Sequence, residues 1–245
     1  MNDRERDDQQ TGRILTRREA FSILGAAAGV RIIGSFAQAS PAVPELPRCV
    51  GRPEQTEGPY FLDTKLNRSD IRSDPSDGSV IDGVPLLLEF RVSQITLQGC
   101  TPLSGAVVDL WHCDPFGVYS GVQDPGFDTT GKRFLRGYQV TDDAGTARFT
   151  TIYPGWYPGR TVHMHFKIRI NPSTQGSYEF TSQLYFDDSI SDLVYRHSPY
   201  LSRGLRAMRN QDDGIFKVGG DQLMLALIKH GQGYAATFDI GLQRT

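Results

Sequence analysis

Residues 162–170 carry two histidines in a pattern that could hold a metal ion. Apolar and polar side chains alternate through this stretch, as they do in a β-strand with one face in the core. His163 and His165 therefore lie on the same polar face, with Cβ atoms about 6.5–7 Å apart. Two imidazoles at that separation can converge on one ion through bonds of about 2.0–2.1 Å. The alternative is a half-exposed strand whose polar face holds two histidines beside a lysine and an arginine.

A third ligand is not evident beside these histidines, since no aspartate or glutamate follows His165 closely. Another anion has to replace the carboxylate of a two-His-one-carboxylate site. Tyr157 could supply it, because it lies six residues before His163 in a loop rich in Gly and Pro. The phenol pKa is near 10, so only a strongly Lewis-acidic ion would hold a phenolate, which favours Fe(III) over Zn(II). The alternative is that Tyr157 packs in its loop with a free hydroxyl.

A longer pattern joins Tyr157-Pro158, Arg160 and His163-x-His165. It resembles the iron-binding signature of the intradiol ring-cleavage dioxygenases. Two further segments are similar to that family: Leu110–Ser120, with its Gly-x-Tyr-Ser loop, and Thr56–Asp63, with its Thr-x-Gly-Pro-Tyr pattern. Gln183 falls where protocatechuate-type members place an active-site glutamine. These segments occur in family order, so the resemblance covers nearly all of the chain after residue 55.

The resemblance implies an activity and a set of site residues. Tyr119, Tyr157, His163 and His165 would bind one non-haem Fe(III) per chain. Tyr157 would also act as a base, and Arg160 would bind the substrate and stabilise negative charge on its ring. Gln183 would hydrogen-bond the substrate, and Tyr60 would contact it near the pocket mouth. The partners would be a small aromatic diol and O2: the catechol-type ring opens between its two hydroxylated carbons and gives a muconate-type diacid.

Two other functions stay open beside this one. The chain could be a secreted β-sandwich binding module that keeps the fold without turnover, or a zinc hydrolase using His163-x-His165. Only 17 residues separate position 39 from Glu57, too few for the helical N-terminal region of catechol-type members. This short N-terminal segment is more similar to that of protocatechuate-type members or of secreted single-domain relatives. Which catechol is the substrate, and whether the protein is a homo- or hetero-oligomer, stay open.

The elements that must position these residues are short strands separated by clusters of Gly, Pro, Asn and Asp. Helical patterns are scarce: residues 190–197 predict a short helix, and 222–229 could be strand or helix. We therefore predict an all-β, single-domain β-sandwich with long loops and few short helices. The predicted strands cover residues 84–92, 105–112, 138–141, 147–152, 162–170, 182–186 and 235–240, with a hairpin turn at 142–145.

The first 39 residues predict an export signal. A charged stretch ends at Arg17-Arg18, an apolar run follows over 21–30, and Ala37-Gln38-Ala39 supplies a cleavage site. The apolar run is too short to span a membrane, and Thr16-Arg17-Arg18 resembles a twin-arginine signal. We expect a signal peptide over 1–39, an N-terminal extension over 40–55, a dioxygenase-like sandwich over 56–245, and no membrane span after cleavage.

Composition adds two constraints. The formal net charge is −2, so the chain offers no large basic field and nucleic acid is not an expected partner. Three cysteines allow three pairings, and an exported protein can keep disulfides. Cys49 and Cys100 both lie in turn-like sequence and are the favoured pair. Cys113 ends a strand-like run, which predicts a buried free thiol.

Overall fold

Two β-sheets form the body of the protein in the computed structural model, which describes residues 49–170 and 177–243. The predicted signal peptide lies outside these residues. The first sheet comprises β1 (Pro85–Thr96), β2 (Gly99–Pro102), β7 (Thr146–Ile152), β10 (Ile228–His230) and β11 (Gly233–Gln243). The second sheet comprises β3 (Val107–Trp111), β6 (Arg136–Val140), β8 (His163–Ile170) and β9 (Tyr178–Tyr185). The predicted all-β sandwich is confirmed.

Shorter elements connect the sheets. A two-stranded ribbon joins β4 (Gln123–Asp124) to β5 (Phe127–Asp128). One α-helix, α1 (Asp188–Val194), follows β9, and Asp187 caps its N-terminus by accepting a hydrogen bond from the backbone N–H of Ser189. Three 3-10 turns follow α1, at Tyr200–Arg203, Asn210–Asp212 and Gly220–Leu223. No helix in the described part of the chain is long and apolar enough to cross a membrane.

The first sheet is organised around β1, which has partners on both edges. One edge pairs in parallel with β11, and the other pairs antiparallel with β7 and then with β2. Every second side chain of β1 is buried, as the alternating pattern predicts; the set comprises Leu86, Leu88, Phe90 and Val92. This face is one wall of the hydrophobic core.

The second sheet supplies the other wall. Its order is β6-β3-β8-β9, and all three pairings are antiparallel. The apolar face of β8 enters the core, as predicted, and Phe166 reaches across to the first sheet. Its ring centroid lies 5.3 Å from that of Phe90 and 5.6 Å from that of Phe238. The core therefore fixes which face of β8 points away from it, and that face carries the two histidines.

The predicted hairpin at residues 142–145 is wrong as a strand pairing. The turn forms, since Gly145 N–H donates to the carbonyl of Asp142 at 2.8 Å. However, β6 pairs with β3 in the second sheet and β7 pairs with β1 in the first. The turn is thus a connection between sheets. The sequence left open whether residues 222–229 form a strand or a helix. They include the end of the 3-10 turn Gly220–Leu223 and the start of β10.

A disulfide joins Cys49 to Cys100, the pair that the sequence favours, with Cα atoms 5.6 Å apart. It attaches the start of the described chain to β2, at one end of the first sheet. Cys113 is a buried free thiol. Burial raises the pKa of this thiol far above its usual value, so it stays protonated and unreactive.

Candidate metal centre

His163 and His165 lie on the face of β8 that points away from the sandwich core. The antiparallel register places His165 between Trp111 of β3 and Gln183 of β9, and places His163 beside Tyr185. This face is covered as well, because all eight residues of β8 are buried. The half-exposed strand considered from the sequence is therefore not what forms. The histidines occupy a second, polar interior between the sheet and the loops that cover it.

The segment 56–63 covers this face. Glu57 forms an ion pair with Lys167 at one point, and Asp63 lies 3.3 Å from Arg169 at another. Between them, a Cβ atom on Gly58 would lie 3.2 Å from Cε1 of His165, so the backbone runs directly over that ring. The Thr-x-Gly-Pro-Tyr pattern thus has a physical reason: a side chain at position 58 would press on the imidazole.

The two imidazoles point their Nε2 atoms at each other. Nδ1 of His163 lies 2.6 Å from the carbonyl oxygen of Thr161, which can only accept, so Nδ1 carries the hydrogen and Nε2 presents a lone pair. The two Nε2 atoms are 3.1 Å apart. The ring of His165 is stacked on Trp111 at 5.2 Å, which fixes its plane.

Both histidines are neutral at pH 7. Burial lowers the pKa of His163 to about 3, with help from the neighbouring Arg160 charge. Burial also lowers the pKa of His165 well below its usual value, and His163 adds to the effect. Neutral imidazoles with free lone pairs are the form in which histidine binds a metal.

Two tyrosines complete the cluster. The hydroxyl oxygen of Tyr157 lies 3.0 Å from Nε2 of His163. The ring of Tyr119 lies 5.8 Å from that of Tyr157 and 6.2 Å from that of His165. Tyr119 is 1% exposed, and its enclosed hydroxyl lies near the Tyr157 phenol but makes no hydrogen bond of normal geometry among the described residues. Burial raises the pKa of both phenols, so each needs a neighbouring cation to ionise at neutral pH.

The loops that carry these tyrosines pack backbone against backbone. Gly155 N–H donates to the carbonyl of Asp114 at 3.1 Å. A Cβ atom on Gly155 would lie 2.3 Å from that same oxygen, and one on Gly117 would lie 2.4 Å from the carbonyl oxygen of Trp156. Gly117 also has a φ of 83°, in the left-handed region. Two glycines thus let the loops approach closely enough to bring Tyr119 and Tyr157 together.

Arg160 and Gln183 lie beside the histidines and contact each other. Arg160 donates from Nη2 to Oε1 of Gln183 at 2.6 Å, and its Nη1 lies 3.4 Å from Nε2 of His163. Gln183 is fully buried, and its Nε2 donates to the carbonyl of Thr56 at 2.9 Å. A third contact was not anticipated: Nε of Arg160 donates to Oδ2 of Asp213 at 2.8 Å. Asp213 lies in a polar loop segment without a recognisable pattern, so the sequence offered no signal for it.

Tyr60 lines a cavity that reaches the two tyrosines of the cluster. The cavity has a volume of about 480 Å³. The ring of Tyr60 lies 4.7 Å from that of Tyr119, and its hydroxyl donates to Asp124 at 2.5 Å. Burial and the Asp124 carboxylate raise the pKa of Tyr60 to about 12. The other lining residues include Phe116, Val118, Phe127, Tyr157, Pro158 and Arg203.

The remaining histidine in the interior has a structural role. His112 is buried, with Nδ1 2.8 Å from the carbonyl oxygen of Cys113 and Nε2 2.7 Å from the hydroxyl of Thr151. Both ring nitrogens are thus engaged within the protein. Over residues 49–170 and 177–243, no group of three or more His, Cys, Asp or Glu side chains is placed to hold a metal ion. A metal at this cluster would therefore need tyrosine oxygens.

The donor set fits a hard, trivalent cation. Two imidazole nitrogens and two phenol oxygens are available, and phenolate oxygens in such a mixed set suit a strongly Lewis-acidic ion such as ferric iron. The unpartnered hydroxyl of Tyr119 is the specific observation. A buried hydroxyl without a partner costs about 1–3 kcal/mol, and a bound cation would satisfy it.

Comparison with known proteins identifies the family. A family model described as a dioxygenase matches residues 56–198. An intradiol ring-cleavage dioxygenase from Tetranychus urticae shares 32% sequence identity and a TM-score of 0.67, over 80% of this chain and 94% of that one. This chain belongs to the intradiol ring-cleavage dioxygenase family. The family membership predicted from the motifs is confirmed.

Two further relatives of this intradiol dioxygenase family member match it to different extents. The dioxygenase domain of a carbohydrate-binding fusion protein from Streptomyces sp. SirexAA-E is 31% identical, with a TM-score of 0.56, over 80% of this chain and all of that domain. The chlorocatechol 1,2-dioxygenase of Pseudomonas putida is 30% identical over 150 residues, which are 54% of this chain and 52% of that protein. The chain spans about half the length of the curated relatives it matches.

Proposed function

We propose that this protein is a non-haem Fe(III) intradiol dioxygenase that opens a catechol-type ring with O2. The observation that carries the proposal is the convergence of two neutral, buried imidazoles with two phenols, one buried and one half-buried, both of which line a cavity. An always-charged guanidinium lies beside them. The names of the relatives support the substrate class, since they act on catechol or chlorocatechol.

Tyr119, Tyr157, His163 and His165 would hold the iron. When bound there, a ferric ion supplies Lewis-acid activation of a chelated catechol for reaction with O2. The protein contributes a rigid and dry setting for it. His163 is held through Thr161, His165 is held by Trp111, and both tyrosines are held by the interlocked loops.

Tyr157 is the residue placed to move a proton. A catechol must lose two protons to bind as a dianion, and Tyr157 lines the cavity through which the substrate would arrive. As a phenolate it can take one of those protons at its hydroxyl oxygen. The raised pKa of this phenol favours the protonated product of that transfer.

Arg160 would stabilise negative charge on the substrate ring. Two of its three guanidinium nitrogens bind protein oxygens, and the third points toward the histidines. Such a fixed cation needs no reorganisation when charge develops, which is the condition for electrostatic catalysis. Gln183 has its amide oxygen and nitrogen engaged by Arg160 and Thr56, so it acts here by holding Arg160. A direct contact of Gln183 with substrate stays a prediction.

The cavity walls suit an aromatic substrate. Tyr60, Phe116, Phe127 and Tyr157 provide aromatic surface around its volume. Asp124 and Arg203 line the cavity beside these rings, and aromatic walls with a few placed polar groups favour a planar ring that carries hydroxyl groups. Tyr60 has its hydroxyl occupied by Asp124, so its contact with substrate would be through the ring.

The test is iron content, colour and oxygen uptake of the purified protein. We expect one iron per chain, a visible phenolate-to-iron band that shifts on adding catechol, and O2 consumption with catechol, chlorocatechols, protocatechuate or hydroxyquinol. His165→Ala should lose the band, whereas His197→Gln, at an exposed histidine, should keep it. A colourless chain that takes up no iron would contradict the proposal. Iron and a catechol-shifted band without O2 uptake would indicate a binding module.

We also propose that the protein is exported. The twin-arginine pattern at Arg17-Arg18 supports this, and the Cys49–Cys100 disulfide suits an oxidising compartment. Replacing both arginines by lysine should retain the full-length chain inside the cell. Unchanged export of that variant would contradict the twin-arginine assignment.

A further inference from the structure

Asp213 is a buried carboxylate that lies far in sequence from every motif of the metal centre. Its side chain is 1% exposed, and it follows the 3-10 turn Asn210–Asp212. A buried carboxylate is costly unless hydrogen bonds and a counter-charge compensate it. The partners of Asp213 therefore indicate what it does.

The two carboxylate oxygens serve different purposes. Oδ1 accepts from the backbone N–H groups of Ile215 and Phe216, at 2.7 and 3.1 Å. These bonds shape its own loop. Oδ2 accepts from Nε of Arg160 and from the backbone N–H of Thr161, both at 2.8 Å. That oxygen therefore connects the loop to the metal centre.

The contact with Arg160 restricts a side chain that is otherwise long and flexible. A guanidinium is planar, so fixing two of its nitrogens fixes its plane. Asp213 holds Nε and Gln183 holds Nη2, which directs Nη1 to within 3.4 Å of Nε2 of His163. Of these two partners only Asp213 is charged, and it is the nearest counter-ion of the arginine.

Asp213 also contacts the backbone of Thr161, the residue that orients His163. The carbonyl of Thr161 accepts the Nδ1 hydrogen of His163, and this bond exposes the Nε2 lone pair. The Thr161 hydroxyl also donates to Asn210 in the Asp213 loop, at 2.6 Å. One loop thus fixes both the arginine and the backbone that orients a histidine.

We propose that Asp213 is a positioning residue for the intradiol reaction, acting through its ion pair with Arg160. The inference rests on the proposed function, because Arg160 matters only if charge develops on a substrate beside it. Asp213 touches neither substrate nor metal. Its carboxylate holds the guanidinium where it meets that charge, and the loop-shaping bonds at Oδ1 need only a neutral acceptor.

The experiment compares Asp213→Asn with Asp74→Asn in the full-length protein loaded with iron. Asp74 is a matched control: it is fully buried and accepts backbone N–H groups of Ser76 and Arg133, but it does not contact the site. We expect Asp213→Asn to lower kcat about 10- to 100-fold with less than about a threefold change in KM. Asp74→Asn should stay within about twofold of wild type. Equal kcat values in the two variants would overturn the proposal.

A double-mutant cycle with Arg160→Gln separates positioning from general damage to the fold. If Asp213 acts through Arg160, the double variant should be no slower than Arg160→Gln alone, because the shared interaction is already lost. If the kcat losses of the two single variants multiply in the double variant, Asp213 has an independent, structural effect, which would overturn the proposal. The energy of the visible iron band should be unchanged in Asp213→Asn, since all four ligands remain.

Hydrogen exchange at Nε of Arg160 tests the ion pair without turnover. In the metal-free wild-type chain, we expect this N–H to exchange at least about tenfold more slowly than that of the exposed Arg196, by NMR. Arg160→Gln assigns the signal. Fast exchange would overturn the proposal even if Asp213→Asn failed to fold. A wild-type chain that binds iron without turning over any catechol would instead contradict the proposed function, with the exchange result unaffected.

Discussion

Tyr119 and Tyr157 differ in one respect that separates their roles. Both rings line the cavity, but Tyr157 is half-buried and its hydroxyl already has a partner in His163. The hydroxyl of Tyr119 is fully enclosed and has no partner in the described chain. Without a cation, Tyr119 is therefore the less satisfied of the two, whereas Tyr157 has an alternative hydrogen bond and access to substrate.

The first prediction compares Tyr157→Phe with Tyr119→Phe. Tyr157→Phe should keep most of its iron but slow the loss of substrate protons, because the base is removed while three ligands remain. Tyr119→Phe should lose most iron, and its metal-free form should be as stable as wild type or more stable by about 1 kcal/mol, because an unpaired hydroxyl is removed. Iron analysis, urea unfolding and stopped-flow absorbance on catechol addition measure these effects. Complete iron loss in Tyr157→Phe, with no separable kinetic change, would contradict the base role.

The residues of the site were visible in the sequence to different degrees. His163 and His165 follow from strand alternation alone, because period two puts both on one face. Tyr119 lies 44 positions before His163, so only a motif could join them. Asp213 had no signal, because a single aspartate in a polar loop is the ordinary composition of loops. Its role depends on which loop the fold brings against Arg160.

At the scale of elements, the site depends on the contact between two loops. Gly117 and Gly155 allow their backbones to touch, and each loop carries one tyrosine of the cluster. These two glycines, which in the sequence indicate only turns, are therefore what allows the two tyrosines of the proposed metal centre to approach each other.

The second prediction tests this contact with Gly117→Ala against Gly131→Ala. Both glycines have left-handed φ values, 83° and 87°, so both variants lose about 1 kcal/mol to backbone strain. A Cβ at 131 meets no atom within 4 Å, whereas one at 117 meets a backbone oxygen at 2.4 Å. Gly117→Ala should therefore lose at least about 2 kcal/mol more and bind iron more weakly. Urea unfolding measures the stability of the two variants, and iron titration measures their affinity for iron. An equal loss of stability in the two variants would contradict the prediction, because it would show that the loops can separate at no energetic cost.

The failed hairpin at residues 142–145 shows what local sequence does and does not determine. The Asp-Asp-Ala-Gly turn was predicted correctly, because Asp and Gly have intrinsic preferences for turn conformations. Which sheet each flanking strand joins depends on partners such as β1 and β3, which are distant in sequence. The class of fold was predictable from strand alternation, whereas the parallel pairing of β1 with β11 was not.

Over the whole molecule, three histidines are buried in their neutral form. Burial lowers the pKa of His112 to about 4 and that of His163 to about 3, and it lowers the pKa of His165 well below its usual value. In the unfolded chain each titrates near 6.5. Between about pH 6.5 and pH 4 the unfolded state therefore binds more protons, so acidification favours unfolding.

The third prediction is that the metal-free protein loses stability on going from pH 7 to pH 5. Each buried histidine contributes a loss of about 2 kcal/mol over that interval. Asp109 and Asp114 oppose this in part, since burial raises the pKa of Asp109 to about 6 and that of Asp114 above its usual value, but two carboxyls are outweighed by three imidazoles. Urea unfolding at pH 7, 6 and 5 gives the slope. His112→Gln should reduce the loss of unfolding free energy between pH 7 and pH 5 by about 2 kcal/mol. The surface variant His197→Gln should leave that loss unchanged. A slope unchanged by His112→Gln would contradict the assignment.

The parallel pairing of β1 with β11 also has a consequence for how the protein is made. β1 leaves the ribosome early, but one whole edge of it waits for residues 233–243, which are synthesised after every other strand described. Until then the first sheet is open on that side, and the core wall opposite β8 is incomplete. Completion of that wall therefore waits for the last strand described, and bringing together strands so far apart in sequence is slow. If the protein is exported with iron bound, as proposed above, export must wait until β11 has paired with β1.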